Sequence, residues 1–531
     1  MRVRTRDWVA AGPRLVLALC LVWAASAVYL SASGGRTPVP SQPPSGGRLA
    51  LPAATEEEAR LRCGVACHRF PTSDILPRAA WRDELVRMQL IMDGVPEPVG
   101  MGQASLMIPL APDMLRIQRY YEAAAPEALP PFDTWPAATD SPVRFDRRAV
   151  TVAGTPGARP WAIANVRLLD LDDNGTLEMV ASDMRAGVVL AGPANGSAAL
   201  TVIAEIPHPS HIELVDLDKD GRQDLVIGDL GSFQPADHRN GAVVWLRRGE
   251  GGAYTAVRLA EGLGRVADVR AADFDGDGDL DLVAAVFGWR ATGSIVLLEN
   301  RTTTWSSPKF VVAELDTRHG AIHVPVVDLN KDGKPDIVAL LAQEHETVIA
   351  LINTGKGAFR TETIFAAPHP NWGSSGIEPV DLDRDGDLDI LHTHGDTFDD
   401  FVLKPYHGVT WLENTGTYPY TVRHLAQLPG AHRALAADLD GDGDLDVVAS
   451  AMVAGGGGAQ EPSLASVVWL EQTQPGRFVR HTIKLGDPDH ATLDVGDVDG
   501  DGRPDVVVGS FAFDKLLEST VDLWRNVGRR R

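Results

Sequence analysis

Asp273-Phe-Asp275-Gly-Asp277-Gly278-Asp279-Leu-Asp281 decides how the chain is read, because its pattern returns six more times. The other copies run from Asp170 to Glu178, Asp216 to Asp224, Asp328 to Asp336, Asp381 to Asp389, Asp438 to Asp446 and Asp497 to Asp505. Each places a carboxylate or amide at positions 1, 3 and 5, glycine at 6 and a carboxylate at 9. Successive starts lie 46, 57, 55, 53, 57 and 59 residues apart, by subtraction of the first Asp numbers.

That spacing suits a hard cation. Ca²⁺ takes six to eight oxygen ligands, and side chains at 1, 3 and 5 of a tight loop converge on one point. Glycine at 6 supplies the sharp turn, position 7 offers its carbonyl, and the acid at 9 closes the cage. The candidate ligands are Asp170, Asp172, Asn174 and Glu178; Asp216, Asp218, Asp220 and Asp224; Asp273, Asp275, Asp277 and Asp281; and Asp328, Asn330, Asp332 and Asp336. The last three loops add Asp381, Asp383, Asp385 and Asp389; Asp438, Asp440, Asp442 and Asp446; and Asp497, Asp499, Asp501 and Asp505. An EF-hand closes with Glu at position 12 between helices. Here position 9 leads into Leu-Val-Ile, Leu-Val-Ala or Val-Val-Val, which read as strands. The alternative for any one loop is an Asp/Gly turn without metal; seven in register favour the metal.

A chain of 531 residues has room for more than one domain, and its 44% hydrophobic content supports a core. The net charge of −23, drawn largely from the Asp loops, argues against a nucleic-acid partner. Three cysteines are too few for a disulfide framework.

Arg2, Arg4, Arg6 and Arg14 precede an apolar run from Leu15 to Leu30, the form of an export signal or signal anchor over 1–31. Ala25-Ser-Ala27 is a candidate cleavage site, and cleaved and anchored forms stay open. Both place the rest outside the cytoplasm, with N-terminal membrane association. A Pro/Gly/Ser-rich linker fills 32–53. A small helical module is expected over 54–132, opened by Thr55-Glu-Glu-Glu58. It contains Cys63-Gly-Val-Ala-Cys67-His68, close to the covalent c-type haem signature but with three residues between the cysteines instead of two. Cys63 and Cys67 would carry the thioethers, His68 one axial position, and Met101 or Met107 the other. A disulfide or redox pair at the cysteines, with methionines in ordinary packing, is the competing reading.

From Pro142 onward, each unit holds a strand into the Asp loop, a second leaving it, a third such as Ala242-Val-Val-Trp-Leu246, and a fourth. Units of 40–60 residues with four strands predict a β-propeller over 133–531. The seventh unit stops after its third strand, whereas 143–152 precedes the first unit with the pattern of a fourth strand. Residues 143–152 are therefore expected to close the last of seven blades, so that no edge stays open.

The repeats resemble the FG-GAP/VCBS family, known from integrin α-subunit propellers and exported bacterial proteins, over about residues 170–510. The resemblance implies a calcium-stiffened propeller with loops on one face and binding surfaces on another. Cys67-His-x-Phe-Pro-x-x-x-x-Leu-Pro-x-x-x-Trp81 looks like the haem-type leader of some bacterial relatives, and the module resembles a small cytochrome c. The expected fold class is mainly β: a seven-bladed propeller with Ca²⁺-binding Asp loops, after a helical cytochrome c-like module and an N-terminal signal or anchor helix.

A second constellation lies upstream of the loops: His211, Arg265, His319, His323, His369, Trp372, His432, Arg433 and His490. If each first strand is innermost, these side chains converge on the mouth of the central channel as a ligand site. The bland alternative is a watery polar lining. The stretch His392-Thr-His394-Gly-Asp396 to His407 is long enough either to join that site or to pack between blades. No Gly-x-Ser-x-Gly, His-Glu-x-x-His or phosphate-cradling glycine loop is present. The leading function is extracytoplasmic binding or adhesion toward a protein, glycan or redox partner, with electron transfer if haem is held. The competing class is a redox or hydrolytic enzyme working at the channel mouth.

Overall fold

A computed structural model describes residues 51–64, 68–95, 107–155, 157–513 and 515–530. The expected leader, nearly all of the linker, Cys67 and Met101 lie outside the described residues. Among the described residues no helix is long and apolar enough to cross a membrane.

Seven antiparallel sheets form the blades of a propeller. Blade 1 runs from β2 (Ile163–Leu169) to β5 (Thr201–Glu205), blade 2 from β6 (Pro209–Val215) to β9 (Tyr254–Leu263), and blade 3 from β10 (Val266–Ala272) to β13 (Phe310–Asp316). Blade 4 runs from β14 (Ala321–His323) to β18 (Ala358–Ala366), blade 5 from β19 (Ser374–Val380) to β22 (Thr421–Gln427), and blade 6 from β23 (Ala431–Ala437) to β26 (Arg477–Leu485). The inner strand of blade 4 is broken at Pro325, which has no N–H for the ladder, and resumes as β15 (Val326–Val327).

Position within a blade accounts for the sequence pattern. Second strands such as β7 (Asp224–Asp229) and β11 (Asp281–Val286) are buried along their whole length, because neighbouring blades cover both faces. They therefore read as unbroken apolar runs. Outer strands such as β13 bury almost nothing on their solvent face and mix polar with apolar residues. Blade-to-blade packing supplies the core, as in the cluster joining Val226, Val243 and Trp245 of blade 2 to Val269, Leu282 and Ala284 of blade 3.

Blade 7 is assembled from both ends of the repeat array, in the order β27 (Thr492–Gly496), β28 (Asp505–Gly509), β29 (Val521–Arg529) and β1 (Val143–Val150). The β1–β29 ladder pairs Val143 with Arg529 and Val150 with Val521. Arg147 clamps Asp522 with two contacts, Nε to Oδ2 at 2.8 Å and Nη2 to Oδ1 at 2.9 Å. Val150 is 2% exposed and joins a core with Leu190, Leu200 and Leu523.

Among the described residues, three α-helices precede the propeller: α1 (Glu56–Cys63), α2 (Trp81–Met92) and α3 (Pro112–Ala124). A reciprocal cap starts α1, with Glu58 N–H donating to Thr55 Oγ1 at 3.2 Å and Thr55 N–H to Glu58 Oε2 at 2.7 Å. Pro112 opens α3, where its missing N–H costs nothing. Trp81 and Tyr121 stack at 3.7 Å and 9°, and the Tyr121 hydroxyl donates to the Pro71 carbonyl.

If β1 is the latch of the ring, Val150→Asp places an unpaired charge in the seam and should lower stability by about 3 kcal/mol or more. Arg144→Ala, on the exposed part of the same strand, should stay within about 0.5 kcal/mol. Urea unfolding of the two variants beside the parent chain checks this.

Candidate functional site

The Asp loops are built alike. In all seven, the position-1 carboxylate accepts from the N–H of the position-6 glycine, at 2.7 Å for Asp170 with Gly175 and 3.1 Å for Asp438 with Gly443. These glycines have φ from +80° to +102°, a region that other residues rarely enter. Position 5 accepts from the N–H of position 7, as Asp277 does from Asp279 at 2.9 Å. Carboxylate oxygens of Asp170, Asp172 and Glu178 fall within 4.8 Å of one another, as do those of Asp216, Asp218 and Asp224, those of Asp273, Asp275 and Asp281, and those of Asp381, Asp383 and Asp385.

Position 9 does more than face the loop. Asp281 accepts from Phe274 N–H at 3.2 Å and from Asn300 N–H at 2.8 Å, tying the loop to the end of the third strand. Asp336, Asp389, Asp446 and Asp505 repeat the arrangement with Asn353, Asn414, Gln472 and Asn526. Burial pushes Asp281, Asp389 and Asp505 up to about 6 and Asp446 up to about 7. The amides that meet them were not singled out from the sequence, yet they recur two residues after the apolar part of each third strand, as in Leu298-Glu-Asn300 and Leu412-Glu-Asn414. Some also reach the preceding blade. Asn353 Nδ2 donates to the Phe274 carbonyl at 3.0 Å and Asn526 Nδ2 to that of Leu439 at 2.7 Å.

The residues fit a bound cation. Asp218 has a side chain only 1% exposed, and neither of its oxygens has a hydrogen bond. Arg247 lies 2.6 Å away but off the hydrogen-bonding direction. Asp381 Oδ1 is likewise buried without a partner. Oxygens left in this way in an acidic loop are what a Ca²⁺ ion would satisfy.

The central channel opens on the opposite face into a cavity of about 1580 Å³. His211, His323, His432 and Arg433 line it from inner strands, and Arg265 does so from the position just before β10. The other four expected mouth residues lie elsewhere. His319, His369 and Trp372 precede their inner strands and sit in the crossings between blades, outside the channel wall. Trp372 is sandwiched by His394 at 4.4 Å and Tyr406 at 5.7 Å. His490 is 2% exposed between blades 6 and 7, against Lys484 Nζ at 3.1 Å.

Several charges on the channel wall are paired in place. Asp268, fully buried, accepts from Arg270 Nε at 3.1 Å and Val324 N–H at 3.0 Å, with His211 Nε2 at 3.4 Å and His323 Nδ1 at 3.6 Å beside it. These partners hold its carboxyl well below the usual range despite burial. Arg433 meets Glu378 at 2.7 Å, and Arg167 meets Asp494 at 3.4 Å. The acids Glu213, Asp268 and Glu378 were missed in the sequence, although Glu213 and Asp268 stand two positions from His211 and Arg270 on the same strand face.

The mouth is more apolar than the histidines and arginines suggested. Phe398 of blade 5 lies 5.2 Å from Phe513 of blade 7, which lies 5.9 Å from Phe233 of blade 2. Phe398 belongs to the long blade-5 stretch, whose middle (Asp396 to Phe401) reaches the cavity while His392, His394 and His407 are buried in the blade. Helix α2 forms one side of the mouth through Asp83, Glu84 and Arg87, with Arg87 donating to the Asp399 carbonyl and paired with Glu84 at 2.7 Å.

The helical segment does not fit a haem among its described residues. Its centre is filled by Leu76, Trp81, Leu85, Met114 and Tyr121. Cys63 lies in that core as a free thiol that burial pushes up to about 11, and Met107 is 84% exposed. The cleft beside His68 holds about 190 Å³, too small for a porphyrin.

Residues 216–284 and 328–392 match the FG-GAP-like repeat family model. These two stretches of the propeller are similar to FG-GAP-like repeats. No curated protein matches the chain. Similar solved structures include a lectin of Agrocybe aegerita that recognises non-reducing terminal N-acetylglucosamine (16% identity, 61% of this chain and 80% of that one, TM-score 0.39). Hydrazine synthase of Kuenenia stuttgartiensis is 13% identical over 71% of this chain and 99% of that one, with TM-score 0.43. Virginiamycin B lyase of Staphylococcus aureus is 10% identical over 72% and 100%, with TM-score 0.44. Similarity at this level carries no functional conclusion.

Burial holds the fully enclosed His392 down to about 3, from an ordinary 6.5. The unfolded chain takes up this proton below about pH 6.5 while the folded chain refuses it, so the stability tied to a neutral His392 is lost as pH falls toward 3. His392→Gln should therefore flatten the dependence of stability on pH, between about pH 6 and pH 4, by about 1.4 kcal/mol per pH unit. Urea midpoints measured across that range check it.

Proposed function

We propose that the chain is an exported, calcium-braced binding module that holds an extracytoplasmic glycan at the channel mouth. The observation that carries this reading is the cavity of about 1580 Å³, walled by aromatic rings and by charges already paired. Partly exposed faces of Phe233, Phe398 and Phe513 suit the C–H face of a sugar ring, and the charged groups around them suit its hydroxyls. Fixed pairs such as Arg433–Glu378 need no rearrangement to present donors and acceptors. Export rests on the basic and apolar start of the sequence. Ca²⁺ would be held by the Asp loops on the face away from the cavity, bracing the ring without entering the ligand site.

Two measurements test this. A glycan array followed by calorimetry should find a saccharide ligand, and Phe398→Ala/Phe513→Ala should weaken it by at least tenfold with the melting temperature retained. Absence of any glycan binding, or equal binding by the variant, would overturn the ligand class.

Calcium is tested separately. Chelation with EGTA should lower the melting temperature and added Ca²⁺ should restore it, since each site filled at about one hundred times Kd stabilises by about 2.7 kcal/mol. A chelated protein that melts unchanged would remove calcium from the account.

A further inference from the structure

One of the residues that the channel left out, His319, stands in a different constellation. It lies in the crossing from β13 to β14, next to the turn that joins β16 (Asp336–Leu341) to β17 (Thr347–Gly355). That turn carries Glu344 and His345. One ligand atom from each of His319, Glu344 and His345 falls within 4.8 Å of the others. His319 Nε2 is 2.9 Å from Glu344 Oε1, and the two imidazole rings have centroids 5.0 Å apart at 57°. His345 Nε2 is buried and makes no hydrogen bond, and His319 Nε2 meets only the Glu344 carboxylate. A buried imidazole nitrogen without a partner is costly unless something else meets it.

The surroundings hold these groups in place. Gln343 and Glu346 flank the pair with φ of +57° and +41°, conformations that cost about 1–3 kcal/mol each and persist only where the neighbours enforce them. Glu346 enforces this one, accepting from Gly373 N–H at 3.2 Å and Ser374 N–H at 2.9 Å. Arg290 approaches the second oxygen of Glu344 at 3.5 Å, which orients the carboxylate and leaves Oε1 toward the histidines. Glu344 and His345 also line the cleft of about 190 Å³, whose far side includes His68 and His369. His68 Nδ1 lies 2.8 Å from the Arg69 carbonyl, so that nitrogen carries the proton and Nε2 keeps its lone pair.

We propose that His319, Glu344 and His345 form a site for a divalent transition metal, Zn²⁺ by its ligand chemistry, with the fourth coordination position facing the cleft beside His68. Two imidazoles and one carboxylate are a three-ligand set that Zn²⁺ takes with an open fourth position. Ca²⁺ prefers oxygen alone, so this site is chemically distinct from the Asp loops on the other face.

The test uses the full chain, stripped of metal and then held in saturating Ca²⁺. Zn²⁺ is titrated by calorimetry, and Co²⁺ is added separately as a visible-absorbing probe. The expected result is one Zn²⁺ bound in the presence of Ca²⁺ and a Co²⁺ spectrum with the intense visible bands of four-coordination. His345→Asn and Glu344→Gln should each weaken Zn²⁺ by about tenfold or more, while their zinc-free melting curves match the parent. Cys63→Ser/Cys67→Ser should bind Zn²⁺ as the parent does. Displacement of Zn²⁺ by Ca²⁺, equal binding by His345→Asn, or loss of binding in the cysteine variant would each overturn the proposal. The Zn²⁺-induced rise in melting temperature gives a second readout, and its persistence in Glu344→Gln would also overturn it.

Discussion

The carboxylate at the ninth position of each loop is the contact on which the blades depend. A strand that leaves a tight acidic loop must be told where the third strand ends, and Asp281 does this with one oxygen on each side. Its neighbours in blades 4 to 7 repeat the bond pattern, and the paired amides of Asn353 and Asn526 carry it across to the blade before. The loop, the blade and the seam between blades therefore share one polar network, buried enough to raise the acid's affinity for a proton. A low dielectric makes such a network specific, because every alternative register leaves charge unmet.

Two faces result, with separate chemistry. The loop face gathers oxygen ligands and compensating arginines. The other face gathers the starts of inner strands, the crossings between blades and helix α2, so aromatic, charged and imidazole groups meet there. Some charges that line the channel are met by neighbours in the wall, as around Asp268, while Phe398 and Phe513 meet across the mouth.

Much of this was legible in the residues. A nine-residue pattern with fixed glycine fixes a turn, and its repetition counts the blades; the unmatched strand at 143–150 shows where the ring closes. The channel wall was legible only where a residue lies on an inner strand, as His211, His323 and Arg433 do. His319, His369 and Trp372 precede those strands, and a few residues of crossing turn the side chain away from the axis. The aromatic mouth was missed although a spacing pointed to it: Phe233 stands 17 residues after Asp216 and Phe398 17 after Asp381, by subtraction, with Phe513 16 after Asp497. The cysteine–histidine stretch pointed to haem, whereas Trp81 and Tyr121 fill the middle of the described helical residues, and packing of that kind has no signature in spacing.

The closure of blade 7 carries a consequence for how the molecule comes to exist. Val143 waits for Arg529, so the ring is joined by partners that leave the ribosome far apart in time. Until β29 arrives, β1 and β28 each lack a ladder partner, and bringing such distant segments together is entropically slow. An export route that carries the chain unfolded would delay the joining of this circle until after translocation.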